Sequence, residues 1–270
     1  LMCPAMNVKM WKNPIVQENI TKLRKLNYHF AEPEYGELAC GYKGVGRLAN
    51  LKRILERIEL LLRQRSDFKN KKILVTAGAT FEEIDPVRVI TNKSSGKMGI
   101  AVAEQAFLRG ADVFLLRGYN SVEPRYNIQE EKFTTAKDLF NKIKNNIKNY
   151  DIAVHAAAVS DFEVNNKEDK KIKSHQELHL ELTPTTKILE NLKKLNNKIF
   201  LVGLKAEHNV SEKELIDCAY DLLKSAKADL IVANDVGRKN IGFDVDTNEV
   251  FIVDKNRKIE HIELSDKRVV

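Results

Sequence analysis

The 270-residue chain carries 45 Lys and Arg against 38 Asp and Glu, a formal charge of +7, with 43% hydrophobic and 31% charged residues. That balance excludes a disordered or fibrous chain, and no apolar run approaches the ~18 residues of a membrane-spanning helix. The charge favours anionic partners, and with aromatic residues at 7% a phosphate-bearing small molecule is preferred over nucleic acid; no membrane partner is expected. Cys3, Cys40 and Cys218 show neither zinc nor disulfide spacing, so the expected compartment is a reducing cytoplasm. Leu1 opens the chain without an initiator Met, and a segment of a longer protein is expected.

Residues 1–46 are rich in Pro, Gly and Asn and show little regular period. From Leu48 to Arg65, Leu51, Ile54, Leu55, Ile58, Leu61 and Leu62 recur at helical spacing, predicting an amphipathic helix. The polar run 66–70 reads as a linker between segments 1–65 and 71–270. Strands and helices then alternate: strand Ile73–Thr76, helix Lys97–Arg109 stopped by Gly110, strand Asp112–Leu116, helix Ala136–Lys148 and strand Asp151–Val154. Helix Thr185–Leu195, strand Ile199–Gly203, helix Ser211–Ala226 and strand Leu230–Ala233 continue the series. The pattern predicts an α/β fold, a doubly wound and mainly parallel sheet of Rossmann-like kind. Ligands in such folds bind beyond the carboxyl ends of strands, which directs attention to the loops after Thr76, Val154, Val202 and Val232.

Those loops hold the motifs. Thr76-Ala77-Gly78-Ala79-Thr80 lets backbone N–H groups approach a phosphate, although a plain strand-to-helix turn explains it equally. It is neither GxGxxG nor a Gly-Lys-Ser/Thr loop, which counts against a dinucleotide oxidoreductase. Ser94, Ser95 and Gly96 sit where a helix begins and suit an anion; a serine N-cap is the bland alternative. Arg88, Asn92, Lys93 and Lys97 nearby favour the anion. In His155–Phe162, small side chains admit a planar ligand and Asp161 reads a donor group on a base or balances a metal. Alanines packing under a helix, with His155 a satisfied core histidine, explain the same stretch. Lys170-Lys171-Ile172-Lys173 is a solvated face or a mobile loop that closes over a triphosphate. Gly203–Glu207 and Ala233–Val236 complete the set at two strand ends.

In this order TAGAT, IDPVRVITNKSSGKMG, AAAVSDF, KIK, GLKAE, ADLIVANDV and GFDVDTNEV resemble the phosphopantothenoylcysteine synthetase family over roughly residues 71–255. Residues 4–11 and 36–47 resemble the closing part of phosphopantothenoylcysteine decarboxylase, a flavoprotein commonly fused ahead of the synthetase. The resemblance implies a partial flavoprotein tail and linker helix in 1–65 and a phosphopantothenate–cysteine ligase in 71–270.

It further implies a two-step reaction of coenzyme A biosynthesis. The carboxylate of 4'-phosphopantothenate attacks CTP, giving an acyl-cytidylate and pyrophosphate with Mg²⁺ assisting; the cysteine amine then displaces CMP. Matched to the motifs, Asn92 holds the intermediate, Arg88 lies near its charge, Lys171 is the catalytic lysine and Ala157 leaves room beside the intermediate. Gly78, Ser94, Ser95, Gly96, His155, Ala156 and Asp161 belong to the nucleotide region, as do Leu204, Lys205, Ala206 and Glu207. Lys224 and Lys227 precede a family motif with spacing one residue short. Leu204 stands where the family usually has Phe, which weakens the expected preference for CTP, and Ser160 replaces a usual Ala. In the tail, Asn7 matches a substrate-binding residue and Cys40 a proton donor of the decarboxylase. FMN is expected only for a complete decarboxylase domain, and no decarboxylation by this chain alone. A homodimer of the ligase domain is implied, within a larger homo-oligomer for the full-length protein. A nucleotide-binding regulatory module without catalysis is the competing reading.

Overall fold

A computed structural model describes residues 1–39, 41–63, 65–173, 178–238, 241–242 and 245–268. The chain divides into two compact units, Leu1–Arg65 and Ser66–Val270.

In the first unit, helices α1 (Val8–Trp11) and α2 (Pro14–Lys25) precede an antiparallel ribbon, β1 (Glu34–Glu37) with β2 (Lys43–Arg47), and helix α3 (Leu51–Arg63). Helix α2 forms within the stretch that shows little regular period in sequence. Asn13 caps it by accepting from Ile15 N, Pro14 occupies the first turn, and Lys22, Arg24 and Lys25 close the last. Its signals are therefore terminal ones; Ile20 alone among its residues is buried, so the apolar period is weak.

The second unit is built on an eight-stranded sheet. Its strands are β3 (Lys72–Ala77), β6 (Asp112–Gly118), β7 (Gln129–Phe133), β8 (Ile152–His155), β11 (Phe200–Glu207), β12 (Leu230–Asp235), β13 (Thr247–Asp254) and β14 (Ile259–Asp266). They lie in the order β14-β13-β12-β11-β8-β3-β6-β7. From β12 to β7 every neighbouring pair is parallel, while β13 and β14 add an antiparallel hairpin at one edge. The chain starts at β3, builds outward to β7, then returns to β8 and builds the other way, so the order reverses between β3 and β8. A crevice opens at such a reversal.

Helix α4 (Lys97–Leu108) packs on one face over β3 and β6, with Ala103 fully buried. Helices α5 (Ala136–Asn146), α6 (Ile188–Leu195) and α7 (Glu212–Ala226) cover the other face. On α7, Leu215, Ala219, Leu223 and Ala226 form the buried stripe, and Ser211 with Glu214 makes a reciprocal cap. Burying Leu215 and Leu223 contributes about 2 kcal/mol each. Two short ribbons complete the unit: β4 (Phe81–Glu83) with β5 (Val89–Thr91), and β9 (Phe162–Val164) with β10 (Leu182–Pro184).

Candidate active site

At the reversal point β3 and β8 lie side by side with Thr76 opposite His155, and their continuations are laced together. Ala156 N donates to Thr76 O at 3.1 Å, Ala158 N to Gly78 O at 2.8 Å and Thr80 N to Ala158 O at 3.2 Å. Thr76 Oγ1 accepts from Ala157 N at 3.1 Å and lies 2.9 Å from His155 Nδ1. Burial lowers the His155 pKa to about 4, so the imidazole is neutral at physiological pH. Asn92, just after β5, donates from Nδ2 to Ala158 O at 3.2 Å, bringing the DPVR-to-SSG stretch against the alanine loop.

Gly96 caps α4 at φ 81°, with no side-chain capping bond. This corrects the serine N-cap alternative: the cap is a glycine in the left-handed region. Gly78 is also left-handed, at φ 91°, and a Cβ there would collide with Ser121 Oγ. Both glycines pack around that serine, which brings the end of β3 and the positive end of α4 together.

A cavity of about 420 Å³ opens over this edge. Asn92, Ser94 and Gly96 line it from the helix start, and His155, Ala156, Ala157 and Asp161 from the alanine loop. Leu204, Lys205 and Ala206 line it from β11. Lys97, Lys187, Lys205 and Lys267 line it beside two carboxylates, Asp161 and Glu190, so cations are at hand for a polyanion. Each lysine already has a local partner: Asp246 at 2.9 Å, Asp161 at 2.5 Å and Glu207 at 3.0 Å for the first three. Lys267, 7% exposed, donates to Gly242 O and Val245 O at 2.7 Å each.

Other expected residues stand outside the lining. Gly78 and Ser95 lie behind it, and Glu207 reaches the site through Lys205. Arg88 turns to Asp85, with its Nη1 2.9 Å from Oδ2, and donates from Nη2 to Ile172 O at 3.2 Å. Lys171 is exposed on the segment that Ile172 ties down, so that stretch is anchored rather than free. Lys224 pairs with Asp221 at 3.0 Å and lies over Tyr220, while Lys227 is the left-handed C-cap of α7. Helix α7 reaches the cavity lining with Leu222, but neither lysine belongs to that lining. Asn7 caps α1 in the first unit and borders a separate hollow there. Cys40 lies outside the described residues.

Sequence reasoning missed Lys187 and Lys267, and gave Asn234 and Asn248 only as members of motifs; all four line the cavity. Asn234 donates to Asn248 Oδ1 at 3.1 Å, pairing an amide of ANDV with one of DTNEV; both motifs were visible, but their adjacency needs the β12–β13 pairing. Lys267 carries no local signal.

Residues 68–270 match the family model described as DNA/pantothenate metabolism flavoprotein C-terminal domain, and residues 1–63 match the Flavoprotein model. The chain is 45% identical over 258 residues to the coenzyme A biosynthesis bifunctional protein CoaBC of Thermococcus kodakarensis, covering 95% of this chain and 61% of that protein. Against the Bacillus subtilis protein of the same name, identity is 38% over 259 residues, covering 94% and 63%. The chain thus spans about three fifths of the curated relatives it matches. The crystal structure of the DNA/pantothenate metabolism flavoprotein from Streptococcus pneumoniae superposes with TM-score 0.65 at 32% identity, covering 74% of this chain and 94% of that one.

Proposed function

We propose, from the premise that the chain belongs to the DNA/pantothenate metabolism flavoprotein C-terminal domain family, that residues 66–270 catalyse CTP-dependent ligation of 4'-phosphopantothenate to cysteine. They are a phosphopantothenate–cysteine ligase domain of coenzyme A biosynthesis, a reaction we assign to the cytoplasm. The observation that carries the substrate assignment is the convergence of three motif loops on one lysine-lined cavity at the sheet's reversal point.

Carboxylate activation asks the protein mainly to hold two anions together and neutralise charge. The α4 N-terminus, Ser94 and Lys97 suit the phosphates. Asn92, held by Ala158 O, presents its amide to the acyl-nucleotide, and Ala157 leaves space beside it. Lys171 supplies charge to the reacting phosphate, and Leu204 with Asp161 borders the base. His155, neutral and hydrogen-bonded to Thr76, orders the loop rather than transferring protons. Lys224 and Lys227 have no part in this reading. Release of pyrophosphate from CTP and phosphopantothenate, with CMP appearing only when cysteine is added, is the test. Asn92→Ala should abolish turnover and Lys171→Ala slow it by roughly 10²-fold or more; full rates in both variants would remove the site assignment. Nucleotide binding without any pyrophosphate release would favour the regulatory module.

Mg²⁺ enters as a counter-ion. Among the described residues no group of three or more His, Cys, Asp or Glu could hold a metal, so the donors fit an ion carried on phosphate oxygens with Asp161 or Glu190 at most. Such an ion would spread phosphate charge. The first unit, among its described residues, has a two-stranded antiparallel ribbon and helices but no parallel-sheet crevice; it does not fit FMN, and no decarboxylation is derived for this chain. That activity and the larger assembly belong to the full-length protein. Phe200 is 43% exposed on β11, an apolar side chain in water that supports a homodimer of the ligase domain, testable by sedimentation.

A further inference from the structure

The ribbons β4–β5 and β9–β10 meet above the sheet edge. The turn of the first contains Asp85, and the excursion from the second carries Lys171. The Asp85 side chain is fully buried. Its Oδ1 accepts from the backbone N–H of Val87 and of Arg88, both at 2.8 Å, as an aspartate at a turn ordinarily does. Its second oxygen would ordinarily face water. Instead Oδ2 accepts from Arg88 Nη1 at 2.9 Å and from Ile172 N at 3.1 Å, while Arg88 Nη2 donates to Ile172 O at 3.2 Å. One carboxylate–guanidinium pair therefore satisfies both backbone polar groups of a residue 87 positions beyond Asp85. Two further ties run alongside: Glu168 N donates to Ile84 O at 3.1 Å, and Lys167 lies 3.7 Å from Glu83. Burial raises the Asp85 pKa, but the N–H groups of Val87, Ile172 and Arg88 and the nearby guanidinium outweigh it, so the carboxyl stays ionised.

A buried, fully bonded carboxylate is more than the turn requires, and its surplus is directed at the residue next to Lys171. We propose that Asp85 is a positioning residue for the ligase reaction, clamping Ile172 together with Arg88 so that Lys171 is held where it acts on substrate charge. This rests on the ligase reading above. It gives Arg88 a holding role, with its guanidinium bound to protein rather than directed into the cavity.

The test uses the whole 270-residue chain. Asp85→Asn keeps an oxygen for the turn's amides and weakens the clamp. It should lower kcat for pyrophosphate release by about 10²-fold, with KM for CTP changed less than about threefold, because misplacement costs rate rather than nucleotide binding. The double variant Asp85→Asn/Lys171→Ala should be no slower than Lys171→Ala alone, since residues acting through one group are not additive. Independently of activity, trypsin should cut after Lys170 and Lys171 at least about tenfold faster in Asp85→Asn, as loss of local protection predicts. An Asp85→Asn enzyme with unchanged kcat, a further loss in the double variant, or unchanged cleavage each overturns the proposal. Should Asp85→Asn lose its fold, Ile172→Pro removes the clamping N–H while sparing the turn, and the same outcomes apply, with cleavage read after Lys170 because trypsin does not cut a Lys–Pro bond. A wild-type chain that releases no pyrophosphate overturns the ligase reading and with it the positioning role; the cleavage comparison then still separates a real clamp from none.

Discussion

Arg117, at the carboxyl end of β6, is only 2% exposed, and Glu130 of β7 answers its charge. Nε and Nη2 donate to the two carboxylate oxygens at 2.8 and 2.7 Å, and Nη1 donates to Ser121 O at 2.9 Å. Glu130→Ala would strand this guanidinium, with only the exposed Glu123 at 3.7 Å to screen it. Breaking a buried pair from one side costs about 3–5 kcal/mol; Glu130 is 29% exposed, so we expect about 3 kcal/mol. At about 2–4 °C per kcal/mol for a unit of this size, the melting temperature should fall by about 6–12 °C. Differential scanning calorimetry near neutral pH measures the shift. Glu130's bond to Arg117 holds its carboxyl below the ordinary value of 4.5. Its contribution is therefore complete above that pH and lost as pH falls through the lower folded value, so wild-type and variant melting curves should converge in acid. A fall of less than about 2 °C, or a gap that persists on acidification, would refute the account.

Leu204→Phe should lower KM for CTP by about fivefold or more, base stacking on an aromatic ring being worth about 1–3 kcal/mol; an unchanged KM would show that residue 204 does not touch the base. Chelation with EDTA should stop pyrophosphate release yet leave the melting temperature within about 1 °C, because no protein cage would be emptied. His155 is held neutral down to about pH 4, whereas the unfolded ring titrates near 6.5. The unfolded state binds more protons in that window, so stability should rise by roughly 3 kcal/mol between pH 4 and 6.5. Urea titrations of His155→Asn should show a flatter slope; an identical slope would place the effect elsewhere.

The centre of the sheet is legible in the sequence because β3, β6 and β8 are buried and written as short apolar runs, Ile73–Val75, Val113–Leu116 and Ile152–Val154. Its edges are not. Strand β7 reads QEEKF with four of five residues exposed, and β14 leaves Glu260, His261 and Glu263 exposed without alternation, so neither shows the apolar period that marks a strand. The loops over the carboxyl edge were identifiable from their motifs, since small residues after a buried strand already say what backbone approach requires. Which way Arg88 turns was not: its pairing with Asp85 and Ile172 spans 84 positions to the latter. Lys224 and Lys227 are the converse case: both lie near ADLIVANDV in sequence, yet neither joins the cavity lining, and Lys224 pairs with Asp221 along α7 instead.

Lys267 closes one wall of the cavity by holding Gly242 O and Val245 O, while the opposite walls begin at Asn92. During synthesis on a ribosome, the segments that form the floor emerge long before this lysine does. Strands β3 to β12 can pair while the β13–β14 hairpin is still within the exit tunnel, but the pocket lacks its last wall until Lys267 has emerged. Nucleotide binding should accordingly be silent in stalled nascent chains that already contain every motif loop but still hold this lysine within the tunnel.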